Sequence, residues 1–176
     1  MTKLSVRQII IFSISILVLF SIPIYTITAN SSTLKDGTEY MFKVTGLDPY
    51  DMFRGNYLNI RFKENTVRHA SLLPQNKEYY VTIEKHPDGF AYFKDISTSK
   101  PVNTADYFKT KAYYSLQNEY RIDTPTRYYM NERKSLRAEE VFMGNLDNAS
   151  VKVRVKNGRM VIVGVYVNGV LIDTID

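Results

Sequence analysis

Two arginines and three acids in this chain are of the types that could meet. Arg54 and Arg127 each carry a planar guanidinium suited to bidentate pairing, and Asp48, Asp51 and Glu132 supply carboxylates. Tyr57, Asn59, Arg61 and Tyr128 lie close to them in sequence and add aromatic, amide and cationic groups. Two uses of such a set stand open. The plainer is an internal network that pins one segment to another, and this is the preferred reading. The other is an exposed groove in which Tyr57, Arg61 and Tyr128 hold a peptide, a glycan or a partner's loop, as aromatic and arginine anchors do.

Other chemistry finds little support. The 176 residues include no cysteine, which removes disulfides, thiolate metal sites and a cysteine nucleophile. His69 and His86 fall in different segments, and neither sits at a metal-ligand spacing. The chain has no Gly-x-Ser-x-Gly elbow, phosphate-cradling glycine loop or dinucleotide fingerprint. No cofactor or metal is expected. A membrane helix followed by a β domain is similar to the signal-peptidase type of Ser-Lys hydrolase. Ser31 or Ser32 would then be the nucleophile and Lys109 or Lys111 the base. Their flanking residues do not match that role, so tether serines and exposed strand lysines are the plainer reading. The net charge is +5, or +3 once Lys3 and Arg7 are set aside, and acids and bases are interspersed. Without a clustered basic face, nucleic acid is not an expected partner.

These residues need elements to hold them. Ile9 to Ala29 is an uncharged run of about the 20 residues a helix needs to cross a bilayer. Lys3 and Arg7 precede it, so the positive-inside bias places residues 1–8 in the cytoplasm and the rest outside the cytoplasmic membrane. A cleaved signal peptide is the competing reading, but Ile27-Thr28-Ala29 is a poor cleavage site. Residues 30–37, rich in Asn, Ser, Thr and Gly, read as a short tether. Residues 38–176 then form one domain of ordinary size.

Within that domain the period is mostly two. Glu39 to Thr45 alternates, placing Tyr40, Phe42 and Val44 on one face. Asp48 and Pro49 could start a short helix that Gly55 ends, making an elbow. From Tyr57 the chain alternates again, with Leu58, Ile60 and Phe62 opposite Tyr57, Asn59 and Arg61. Residues 63–76 read as a loop or short helix ended by Pro74. Glu78 to Lys85 and Phe90 to Asp95 form a hairpin around His86-Pro87-Asp88-Gly89. Strands follow at Tyr107 to Leu116, Tyr120 to Asp123 and Arg127 to Met130, then an amphipathic helix ending near Gly144. Asn157-Gly158 and Asn168-Gly169 turn a final three-stranded meander. Its apolar run Val161 to Val165 implies a middle strand buried on both sides or covered by the preceding helix. The fold class is therefore mainly β with minor α: an antiparallel sheet, or a partly open barrel or sandwich, after one transmembrane helix.

The pattern Asp48-Pro49-x-Asp51-x-x-Arg54-Gly55-Asn56-Tyr57-x-x-Ile60-x-Phe62 resembles the signature of the GDYXXLXY family. Arg127-Tyr128-Tyr129-Met130-x-Glu132 and the Val-rich close are similar to its later blocks. The resemblance spans most of residues 38 to 172. Asn56, Ile60 and Phe62 stand where the family has Asp, Leu and Tyr. An amide cannot exchange a proton near neutral pH, whereas Asn and Asp both suit a turn, so a catalytic part for this position would be lost here. The resemblance implies a bacterial membrane-anchored protein, related to components encoded beside multi-pass membrane proteins. The expected function is a noncatalytic accessory or ligand-binding domain that is held on the bilayer by residues 9–29 and works with a multi-pass membrane partner. The alternative is a membrane-tethered hydrolase.

Overall fold

Helix α1 (Val6–Asp36) starts on a capping box in which the Ser5 side chain accepts from the Gln8 amide and the Gln8 side chain accepts from the Ser5 amide. At about 1.5 Å per residue its 31 residues extend roughly 46 Å. Ile9, Phe12, Leu17, Phe20 and Tyr25 are all exposed, so the surroundings of this segment must themselves be apolar. Several of its polar side chains bond to the helix's own backbone. Ser15, Ser21, Thr26 and Thr28 donate to carbonyls one turn back, leaving little that lipid would have to solvate. The helix is long and apolar enough to cross a membrane. It continues through Asn30 to Asp36, where the composition implies a tether. Those polar residues stay helical because the domain holds them.

The computed structural model describes residues 5–46, 57–75, 77–102, 104, 106–115 and 117–174. The elbow expected over Asp48 to Gly55 lies outside them. The strands are β1 (Thr38–Gly46), β2 (Tyr57–Phe62), β3 (Thr66–Arg68), β4 (Glu78–Lys85), β5 (Ala91–Ser97), β6 (Tyr107–Tyr114), β7 (Glu119–Ile122), β8 (Arg127–Tyr129), β9 (Ala149–Lys156), β10 (Arg159–Val167) and β11 (Val170–Leu171). A second helix, α2 (Glu132–Gly144), separates β8 from β9. The strands form two antiparallel sheets ordered β11-β10-β9-β1-β2-β8 and β3-β7-β6-β4-β5. The mainly β, antiparallel fold class holds. One strand lies where a loop or short helix is expected: Thr66–Arg68 pairs with β7, with Val67 buried opposite Tyr120.

Both sheets turn their alternate apolar residues onto one core. Phe42 and Phe62 from the first meet Phe93 from the second at 5.1 and 6.0 Å between ring centres, and Phe93 meets Phe108 at 5.5 Å. Tyr40, Val44, Leu58 and Ile60 are buried with them, as the period of two requires. The Asn157-Gly158 hairpin forms with φ of 51° and 79°, the left-handed values such a turn needs. Its tip reaches the second sheet, where the Lys109 amide donates to the Gly158 carbonyl at 2.8 Å.

The middle strand of the meander is only partly covered. Met160 and Ile162 pack on the core, while Arg159, Val161 and Val163 alternate with them and are half-buried. The helix that packs on β10 is α1, and α2 lies against β2 and the final 3-10 turn Ile172–Thr174. Covering by the preceding helix is thus corrected: the membrane-type helix does that work.

Candidate functional site

The joint between α1 and the sheet is built from the outward residues of β9. Val151, Val153 and Val155 fill the core, so Lys152, Arg154 and Lys156 must face away from it, and Arg154 and Lys156 reach the end of α1. Arg154 donates from Nε and Nη2 to one Glu39 carboxylate oxygen at 3.1 and 2.8 Å. Its Nη1 donates to the Lys35 carbonyl at 3.1 Å and also to the Leu34 carbonyl. Lys156 Nζ donates to the Ser32 hydroxyl and the Asp36 carboxylate, each at 2.9 Å. A helix ends in unpaired carbonyls and a partial negative charge, so a row of cations is its natural counterpart. Hydrogen bonding to Arg154 holds the Glu39 carboxyl below its ordinary range.

Gly37 makes this joint tight. A Cβ there would lie 2.5 Å from the Thr33 carbonyl oxygen and 3.0 Å from the Arg154 Cβ. Thr33 is the one buried residue of α1. The chain passes from helix to β1 with no slack, so the domain is a fixed extension of the helix.

A second feature is the outward face of β2 and β8. Antiparallel register sets Tyr57 opposite Tyr129 and Asn59 opposite Arg127, with Arg61 further along opposite Thr45 of β1. The Arg127 guanidinium sits 5.0 Å over the Tyr57 ring, and the Tyr57 and Tyr129 rings are 5.7 Å apart. Tyr129 is 68% exposed. Arg61 is also exposed, and among the described residues neither arginine has an ion pair. Of the candidate set, the structure therefore gathers Tyr57, Asn59, Arg61 and Arg127 on one surface.

Tyr128 is placed elsewhere. It alternates with Arg127 and Tyr129, lies opposite buried Leu58, and donates its hydroxyl to Asp173. Burial, and then the Asp173 carboxylate, push that phenol upward. Asp48, Asp51 and Arg54 lie outside the described residues, and Glu132 opens α2 with its side chain outside them. Tyr129 is the residue that the sequence reading passes over. Its signal was the i, i+2 spacing from Arg127, which puts both on one side of a strand.

Little else converges. His69 pairs with Asp95 and His86 with Glu64, both at 3.3 Å, in separate places. Among the described residues no group of three His, Asp or Glu could hold a metal ion. Ser32 meets Lys156 rather than Lys109 or Lys111, and accepts a hydrogen bond from an ammonium engaged by Asp36. Lys109 is bound by Glu78, which raises its affinity for the proton, the reverse of what a general base needs.

Fold and site together define a β domain clamped to the end of a long apolar helix, with an aromatic and cationic face on its first sheet. The chain belongs to the GDYXXLXY family: the model of the GDYXXLXY protein matches residues 19–165, from the middle of α1 through most of β10. No curated protein and no solved structure matches the chain.

Proposed function

We propose that this protein is a noncatalytic accessory or ligand-binding domain, held on the outer face of the cytoplasmic membrane by α1 with its amino terminus inside. It works with an integral, multi-pass membrane partner. The observation that carries this reading is the clamped joint: Arg154, Lys156 and Gly37 fix the domain to the helix, as a part must be fixed if it presents a face in a set orientation. The charge bias across the segment supports the orientation. The surface of Tyr57, Arg127 and Tyr129 is rich in the side chains that anchor protein interfaces, and it is the binding face in this reading.

The test is photocrosslinking in native membranes from Tyr129, with Val102, 95% exposed, as the control position. Mass spectrometry should recover an integral membrane protein from Tyr129 and not from Val102. The same products from both positions, or none from Tyr129, would refute the reading.

A further inference from the structure

A cleft opens beside the end of the apolar run of α1, lined by Asn30, Lys109, Thr110, Asp123, Gly158 and Arg159 among others, with a volume of about 230 Å³. Its depth relative to a bilayer is set by the chain. Asn30 follows directly on Ala29, the last residue of the uncharged run. Arg159 reaches further down, its guanidinium lying 5.3 Å over the ring of Tyr25. Tyr25 is one turn before Ala29, roughly 6 Å along the helix axis. A tyrosine and an arginine at the boundary of a membrane span sit at the level of the lipid headgroups.

Charge pairing singles out two lining groups. On the neighbouring β9, Lys152 and Arg154 are matched by Glu39 and Lys156 by Asp36, and inside the cleft Lys109 is matched by Glu78. Among the described residues Arg159 has no carboxylate partner and Asp123 has no cationic one, although both line this one cleft. The positions are firm. The Gly158 carbonyl accepts from the Lys109 amide at 2.8 Å, and the Thr110 hydroxyl donates to the Asp123 carbonyl at 2.6 Å. A cation and an anion that line one cleft at headgroup level, neither with an oppositely charged partner among the described residues, complement a zwitterion.

We propose that this cleft binds the headgroup of an ethanolamine phospholipid. Arg159 takes the phosphodiester with its planar fork, and Asp123 accepts from the primary ammonium two carbons away. A glycerol headgroup offers Asp123 no cation, and a choline headgroup offers it no N–H donor. The proposal rests on α1 spanning the bilayer.

The test uses the full-length chain in nanodiscs of phosphatidylcholine doped with equal amounts of phosphatidylethanolamine and phosphatidylglycerol of matched acyl chains. Native mass spectrometry reads the lipid retained after gentle extraction. Phosphatidylethanolamine should be enriched over both others. Arg159→Gln should lower its retention about tenfold, the scale expected for one charge-assisted bidentate contact, and Arg159→Lys should restore part of it. Asp123→Asn should remove the preference over phosphatidylglycerol. Equal enrichment of the two doped lipids by the wild type, or an equal loss from Lys77→Gln at an exposed site elsewhere, would overturn the proposal. Release of the wild type from native membranes by alkaline carbonate would overturn the spanning reading beneath it. Retention in carbonate without ethanolamine preference would overturn the headgroup site alone.

Discussion

Replacing Arg154 with Ala tests whether helix and domain are one rigid body. The side chain is 27% exposed and its partner Glu39 45%, so after solvent screening their pairing contributes about 0.5–1 kcal/mol. A cation on the last-turn carbonyls contributes about 0.5–1 kcal/mol through the helix dipole. The sum, about 1–2 kcal/mol, corresponds to a fall in Tm of about 3–7 °C for a domain of this size. Unfolding followed by tyrosine fluorescence in detergent would measure it. A second readout isolates the joint, because the chain has no cysteine and two can be introduced without interference. Spin labels at Ser31 on α1 and Asn157 on the hairpin, both exposed, should give a narrow distance distribution in the parent and a broad one in Arg154→Ala. Arg154→Lys keeps the charge but loses the fork, and should narrow it only in part. A Tm change below about 1 °C together with equal distribution widths would refute the clamp.

Four further outcomes follow from the same structure. Phe93→Ala should destabilise the domain by about 3–5 kcal/mol in chemical denaturation, because Phe93 joins the rings of both sheets. Arg127→Ala should change stability by less than about 1 kcal/mol, since its cation lies over an outward ring, while abolishing crosslinking from Tyr129. Glu39, Glu78, Glu84 and Asp88, whose carboxyls are held below their ordinary range chiefly by Arg154, Lys109, Lys94 and Lys43, should each add a small, solvent-screened share to acid sensitivity. A depressed folded-state value gives stability that is complete above the unfolded value and lost as pH falls through the folded one, so Tm should be flat near neutrality and drop below about pH 4. Val102→Cys should react with a membrane-impermeant maleimide in intact cells. Reaction only after lysis would reverse the proposed orientation.

Much of the fold was legible because strand alternation is a local property. Tyr40, Phe42 and Val44 point inward for the same reason as Val151, Val153 and Val155, and the two Asn-Gly pairs turn where only a left-handed backbone will do. The misreadings arose where distant residues decide the outcome. Asn30 to Asp36 has the composition of a loop, and it is helical because Arg154 and Lys156, about 120 positions later, bind its last turn. Thr66–Arg68 is too short to show a period, and it is a strand because β7 lies beside it. Of the site, the Tyr57 face was visible from alternation in β2, but grouping Tyr128 with it required β8 to turn that ring outward. The pairing with Leu58 turns it toward the core and sends Tyr129 out instead.

The division of labour on β9 explains how a long apolar helix and the aromatic, cationic face of Tyr57 can belong to one small domain. Its inner valines are fully buried, and removing any one would open the core; its outer cations hold the helix. The same strand pairs along six residues with β1, which itself leaves α1 through Gly37 and pairs with β2. From the clamp to the face of Tyr57 there are thus only two ladders, each about 4.8 Å wide. Hydrogen-bonded strands over a close-packed core shift together rather than bend separately. A rotation or tilt imposed on α1 is therefore carried to Tyr57, Arg127 and Tyr129 as movement of one body, which a flexible tether at residues 30–37 would have absorbed.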